Sequence, residues 1–273
     1  MISKDFIVTN KNGLKLAATI DLPDSPTPAL PYRVPRHRGK GEGDYKEIGG
    51  LYALFLHCFT CSKELKAIAN INSALTEFGY GIVRFDMTGI GASEGEFKET
   101  NFTTQLEDTE CVIEYMKQHY GMPELFIGHS LGGAVALFTA AKYDEVKAIA
   151  TIASPSEPHK LALKLKKTKE RSIVDGIANT NIGGVEFEFK PQFFDDLEKY
   201  HMKSLLQHLR KPLMVMHSPA DNYSEISNAT EIFRNASHPK SFVSLDNIDH
   251  LILDKDEAIW VGKLIGDWAG KYL

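Results

Sequence analysis

Apolar and polar residues alternate from Phe6 to Thr9 and again from Leu14 to Ile20, on either side of Asn12-Gly13. Alternation with a period of two describes a strand with one buried face. Asn-Gly accepts the positive φ angles of a tight turn, so the pair of runs predicts a β-hairpin. From residue 51 the pattern changes to short, continuous apolar runs at 51–56, 81–85, 125–127, 146–152, 213–216 and 242–245. Such runs suit strands buried on both faces. Between them Ala67, Ile68, Ile71, Leu75 and Phe78 repeat with helical spacing, closed by Gly79. Leu106, Val112, Ile113 and Met116 do likewise, and residues 131–142, 224–235 and 256–272 read as further helices. Strands alternating with helices predict an α/β fold: a mostly parallel central sheet with helices on both faces.

Two stretches break the rhythm. Residues 23–50 carry Pro23, Pro26, Pro28, Pro31 and Pro35, then Gly39, Gly41, Gly43, Gly49 and Gly50. Proline removes a ladder donor and glycine buries no side chain, so this stretch reads as a mobile surface loop. Residues 155–210 are too long for a plain connection and contain helical spacing at 160–169, alternation at 185–189 and helical spacing again at 193–206. They predict a small inserted cap over the sheet edge.

The chain has 273 residues, of which 43% are hydrophobic, enough for one α/β domain over 1–273. A formal net charge of −5 and a pI near 6.1 give no clustered basic surface for nucleic acid, and the lysines of 160–171 suit a solvated helix face. No stretch approaches the roughly 18 apolar residues that span a bilayer, and residues 1–6 lack the apolar core of a signal peptide. Three cysteines, an odd number, do not suggest a secreted disulfide framework. The expectation is a soluble protein of a reducing compartment, with the cytoplasm as the default.

Candidate chemistry centres on Gly128-His129-Ser130-Leu131-Gly132, followed by Gly133. This fits G-x-S-x-G, and it follows an apolar strand and opens a small-residue helix, as the motif requires. A serine on a sharp strand-to-helix turn has a strained backbone and close-packed neighbours, which therefore must be glycine. Its hydroxyl then sits at a helix N-terminus that favours developing negative charge.

A serine hydroxyl needs a base. His250 lies after the last predicted strand, in a loop before the terminal helix. His119, His159, His201, His208 and His238 fall in helices, in the cap or in a turn, and His37 falls in the Pro/Gly-rich loop. His57, His129 and His217 stand at strand ends, where they can shape the site through hydrogen bonds. The base needs an acid to fix its tautomer. Asp221 follows the strand at 213–216, at the edge where open α/β sheets bind ligands. Asp86 and Asp249 are rivals. Asp86 is better suited to tying its own loop, and Asp249 adjoins the histidine too closely for easy side-chain pairing. Ser130, Asp221 and His250 follow the chain order of this type of triad. The oxyanion donors expected are the backbone amides of Leu131 and Phe59.

These motifs resemble the α/β-hydrolase superfamily over nearly the whole chain. His57-Cys58-Phe59-Thr60-Cys61-Ser62-Lys63 is similar to the H-G-F-T-G-S-K loop of feruloyl and cinnamoyl esterases. Arg84-Phe85-Asp86 with Gly89, Gly91, Ser93 and Gly95 resembles their R-x-D-x-x-G-x-G-x-S-x-G stretch. The version with both cysteines, continuing to Leu65-Lys66, looks closer to a bacterial subgroup sometimes fused to an OsmC-like domain. No second domain of that kind is expected here. The resemblance implies a carboxylesterase without metal or organic cofactor, acting on a small-molecule ester, with aromatic acyl groups among the candidates. An amide hydrolase using the same residues and a non-catalytic binding protein on the same fold stay open.

The chain departs from the esterase pattern where cysteines replace both glycines of the oxyanion loop, and where Ser218 follows His217. Cys58-x-x-Cys61 has the spacing of a redox pair. Two small buried packing residues are the preferred reading, and a thiol switch on the loop is the alternative. Three cysteines leave a four-thiolate zinc site out of reach.

Overall fold

The structure, a computed structural model, describes residues 1–24 and 50–273. The Pro/Gly-rich stretch read as a mobile loop therefore lies outside the described residues, apart from its ends. The first two strands, β1 (Ile2–Thr9) and β2 (Lys15–Leu22), form the expected antiparallel hairpin, with Gly13 at φ 80°. Asn10 holds the turn: its Oδ1 accepts the amides of Asn12 and Leu14, both at 3.0 Å.

The core strands are β3 (Leu51–Leu56), β4 (Tyr80–Phe85), β5 (Leu125–His129), β6 (Ala148–Ile152), β9 (Leu213–His217) and β10 (Lys240–Ser244). With the hairpin they make an eight-stranded sheet in the order β1-β2-β4-β3-β5-β6-β9-β10. Within this sheet, among the described residues, only β1–β2 and β2–β4 pair antiparallel. Every residue of β3, β4, β5, β6 and β9 is buried, as continuous apolar runs require when both faces are covered.

Helices α1 (Lys66–Glu77) and α9 (Lys255–Ala269) cover one face, where Ile68, Ile71, Leu75, Val261 and Ile265 pack on Phe55 and Ile127. On the other face α2 (Phe102–His119), α3 (Leu131–Ala140) and α8 (Ser227–Asn235) bury Leu106, Val135, Leu137 and Ile232 against Leu54, Leu56 and Phe126. Removing one such side chain, as in Leu56→Ala, would cost about 2–5 kcal/mol. No helix among the described residues is long and apolar enough to cross a membrane.

The strand order reverses at β3: the chain runs out to β4 on one side and returns to β5 on the other. A crevice opens beyond the strand C-termini at such a point. The parallel register pairs Leu56 with Gly128, so the loops that start at His57 and at Ser130 leave the sheet side by side.

Between β6 and β9 lie α4 (Lys160–Lys164), α5 (Lys166–Asp175), β7 (Ala178–Ile182), β8 (Val185–Phe189), α6 (Pro191–Leu197) and α7 (Met202–His208). The segment departs from the sequence pattern in three places. The helix expected at 160–169 is broken at Leu165, and the one expected at 193–206 is broken between α6 and α7. The alternating strand at 185–189 pairs with β7, for which the sequence pattern predicts no strand, as a hairpin separate from the main sheet. This segment is fastened to α2 through Asp196, whose carboxylate accepts from the Thr103 amide at 2.7 Å and from its hydroxyl at 2.9 Å.

Candidate active site

Ser130 sits between β5 and α3 at φ 53° and ψ −126°, a region costing on the order of 1–3 kcal/mol for a residue with a side chain. Its neighbours make the turn possible. A Cβ on Gly128 would lie 2.3 Å from the Gly132 carbonyl oxygen, and one on Gly132 would lie 2.3 Å from that of Leu56. The turn is pinned by Ser130 N–H donating to Ile152 O at 2.8 Å and Gly133 N–H donating to Ser130 O at 2.9 Å.

The Ser130 hydroxyl lies 3.1 Å from His250 Nε2. His250 Nδ1 lies 2.7 Å from Asp221 Oδ2. A carboxylate can only accept, so Nδ1 carries the proton and Nε2 is left facing the serine. The other Asp221 oxygen accepts the amides of Tyr223 at 2.7 Å and Ser224 at 2.8 Å. Burial pushes the Asp221 carboxyl up, but the His250 bond, these two amides and the His250 charge outweigh it and hold the carboxyl below its usual range. The structure thus brings together the serine, histidine and aspartate picked out from the sequence, from the ends of three strands.

The rivals take other roles. Asp86 Oδ1 accepts the Lys63 amide at 2.6 Å, and its Oδ2 accepts the Ala92 amide at 2.9 Å. Arg84 donates to the Lys63 carbonyl at 2.6 Å and to Asp21 at 2.9 Å. Strand β4 and the residue after it thus hold both the amide and the carbonyl of Lys63 and fix the far end of the 57–63 loop. Asp249 accepts the amides of Leu251 at 2.7 Å and Leu253 at 3.1 Å and organises its own turn.

Three further histidines frame the site. His129 Nε2 donates to the His250 carbonyl at 2.7 Å, and burial followed by the His250 charge lowers its pKa to about 3. His57 Nδ1 donates to Cys58 O at 2.7 Å while its Nε2 accepts from Met87 N–H at 3.3 Å. A ring that donates at one nitrogen and accepts at the other is neutral, and burial lowers its pKa accordingly. His217 Nε2 donates to Ser224 O at 2.7 Å and stands 3.7 Å from Asp221; burial lowers its pKa as well. Sequence reasoning placed these three beside the site. It missed the amides of Tyr223 and Ser224, whose signal is the turn-rich Pro219-Ala220-Asp221-Asn222.

The amides of Phe59 and Leu131 lie three residues beyond the paired Leu56 and Gly128, the first in the loop after β3 and the second at the start of α3. Neither is engaged by another described residue. The Phe59 ring packs against Phe97, Phe193 and Phe189 at centroid distances of 5.6, 5.3 and 5.9 Å, joining the oxyanion-loop candidate to β8 and α6.

Cys58 and Cys61, the pair whose spacing leaves packing and redox readings open, are joined by a disulfide. The cause is local. The Cys61 amide donates to Cys58 O at 3.1 Å, and this turn brings the two Cα atoms to 5.2 Å, within bridging range. Among the described residues no group of three or more His, Cys, Asp or Glu side chains is arranged to hold a metal ion.

Residues 54–227 match the family model described as alpha/beta hydrolase fold. The esterase domain of a Rhodothermus marinus protein is 39% identical, with a TM-score of 0.73, and the match covers 100% of this chain and 99% of that one. Est1E of Butyrivibrio proteoclasticus, solved with ferulic acid bound, shares the fold at 17% identity and a TM-score of 0.70, covering 95% of this chain and 97% of that one. The mitochondrial palmitoyl-protein thioesterase ABHD10 of Rattus norvegicus is 26% identical over 149 residues, 52% of this chain and 46% of its own. This chain thus matches less than half the length of that relative.

Proposed function

The chain belongs to the alpha/beta hydrolase fold family, and from that membership we propose that it is a serine hydrolase cleaving carboxylic esters through an acyl-enzyme on Ser130. One observation carries the reading: the unbroken relay from Asp221 through His250 to Ser130, at 2.7 and 3.1 Å. Ser130 Oγ attacks the ester carbonyl as His250 Nε2 takes its proton, and Asp221 stabilises the imidazolium. The tetrahedral oxyanion is held by the Phe59 and Leu131 amides at the α3 N-terminus, each donor being worth about 3 kcal/mol in the transition state. His250 then protonates the leaving alcohol, and a second round with water frees the acid. Strain at Ser130 and the Nε2 of His250 turned toward its hydroxyl agree with a nucleophile held ready.

The segment at 155–210 serves as a cap, with β8 and α6 forming an aromatic wall behind Phe59. That wall supports acyl groups of small to medium size, aromatic ones included. Similarity to a thioesterase favours a second reading, in which thioesters are cleaved by the same residues. Both are tested by steady-state hydrolysis of matched p-nitrophenyl esters and acyl thioesters of acetate, butyrate, octanoate and cinnamate. Ester turnover lost in His250→Gln supports the proposal. A kcat/KM at least tenfold higher for thioesters selects the second reading. No turnover of any of them by folded protein overturns both.

A further inference from the structure

We propose that the Cys58–Cys61 disulfide is a reducible clasp on the oxyanion loop, opened at Cys61 by a neutral or cationic dithiol, and that the clasped form is the more active one. The proposal rests on the serine-hydrolase reading. The bridge spans residues 58–61, so the Phe59 amide lies inside the covalent ring it closes. The same ring holds the Cys61-to-Cys58 turn at 3.1 Å, and the relay of Ser130, His250 and Asp221 is assembled while the bridge is closed. Just outside the ring the loop is anchored at Lys63 by Arg84 and Asp86. Opening the bridge frees the Phe59 peptide on one side only, between that anchor and His57.

The two sulfurs are not equally accessible. Cys58 is buried, whereas Cys61 is half-buried and lines a cleft of about 570 Å³ that Cys58 does not reach. The opposite wall is β8 with the turn at 96–98, and its charges are Glu96, Glu186 and Glu188 against Lys98 alone. Lys98 is itself paired with Glu96 at 3.1 Å and Glu188 at 3.0 Å. A surplus of carboxylates repels an anionic thiol and draws a cationic one.

The exchange balances. A thiolate of the dithiol attacks Cys61 Sγ, the Sγ–Sγ bond breaks, and Cys58 leaves as a thiolate that takes a proton from water. The second thiol of the reagent, deprotonated, attacks its own sulfur in the mixed disulfide and releases Cys61. Two electrons pass to the protein and the dithiol departs as a cyclic disulfide.

The test begins with oxidised enzyme in a Cys111→Ser background, which removes the remaining thiol. Ester turnover is measured before reduction with dithiothreitol, after it, and after reoxidation with a small disulfide. Thiol state is read by alkylation and mass. The proposal expects kcat to fall about tenfold on reduction with KM within about twofold, and to return on reoxidation. Cys58→Ser/Cys61→Ser should match the reduced enzyme and ignore dithiol. Under monothiols, the first adduct should map to Cys61. Rates per thiolate should rank cysteamine above 2-mercaptoethanol above mercaptoethanesulfonate, and converge in about 1 M salt. Glu186→Lys should raise the rate of the anionic thiol relative to the cationic one. No turnover before reduction overturns the hydrolase reading and this proposal with it. Turnover before reduction that changes less than about twofold afterwards, or first attack at Cys58, overturns the clasp alone. An absent or reversed charge ranking overturns the role of the cleft.

Discussion

The residue before the strained serine holds the loop that carries the histidine: His129 Nε2 donates to the main-chain carbonyl of His250 at 2.7 Å, across 121 positions of sequence. Their rings lie 5.1 Å apart. One bond thus links the turn bearing Ser130 to the loop bearing His250, and it sets the distance between their reacting atoms. Misplacement on the order of 1 Å in such a pair can cost about a hundredfold in rate. His129→Ala is expected to lower kcat about tenfold to a hundredfold with little change in KM, as measured by steady-state ester hydrolysis.

Stability should fall on acidification, and His129 should carry part of the fall. Its folded pKa of about 3 lies below the ordinary 6.5, and burial lowers His57 and His217 in the same direction. Below about pH 6.5 the unfolded chain binds protons that the folded chain refuses. For His129 the stabilisation is therefore complete above pH 6.5 and is lost as pH falls from there toward 3, by up to about 1.4 kcal/mol per pH unit, and His57 and His217 add losses of the same sign. Asp221, depressed below its ordinary value, adds a loss at lower pH, as the pH falls through its folded pKa. Urea unfolding at pH 7, 6 and 5 should show declining midpoints, with a shallower decline for His129→Gln.

Asp221→Asn removes the charge that stabilises the imidazolium and permits the wrong tautomer. The expected loss is roughly 10⁴ in kcat. The Tyr223 and Ser224 amides can still donate to the remaining carbonyl oxygen, so the unfolding midpoint should move far less than the rate. Circular dichroism melts beside turnover measurements check both.

Asp86→Ala strips the acceptor from the amides of Lys63 and Ala92 together. The buried Lys63 amide left without a partner costs about 1–3 kcal/mol, and the more exposed Ala92 amide costs less. The variant should melt lower and also lose kcat, because the 57–63 loop is released at its Lys63 anchor. Thermal melts and ester kinetics on one preparation check the pair of effects.

Much of the fold was legible because burial on both faces writes itself as continuous apolar runs, as in Leu51–Leu56 and residues 125–127, and because Asn12-Gly13 marks its own turn. The 155–210 segment was less legible for physical reasons. Ala178–Ile182, with its Asn and Thr residues, has little β signature and is a strand only because Val185–Phe189 pairs with it. The break at Leu165 falls inside a run of Lys and Leu, good helix formers on either side. Ser130 was readable from its glycines, since a missing Cβ reports a close approach. Asp221 was readable only as a position after a strand; its 2.7 Å approach to His250 depends on how β9 and β10 pair. The tie between His129 and His250 left no mark, because its acceptor is a backbone carbonyl that any residue would supply. Cys58-x-x-Cys61 was legible as a spacing, but the turn that brings the two Cα atoms to 5.2 Å left no separate mark.

The most direct test of the account is intact-mass analysis after treatment with a fluorophosphonate probe, on wild type and Ser130→Ala. The account predicts a single adduct on the wild type, mapped to Ser130, and none on the variant. No adduct on folded, oxidised wild-type protein, or an equal adduct on Ser130→Ala, would contradict it.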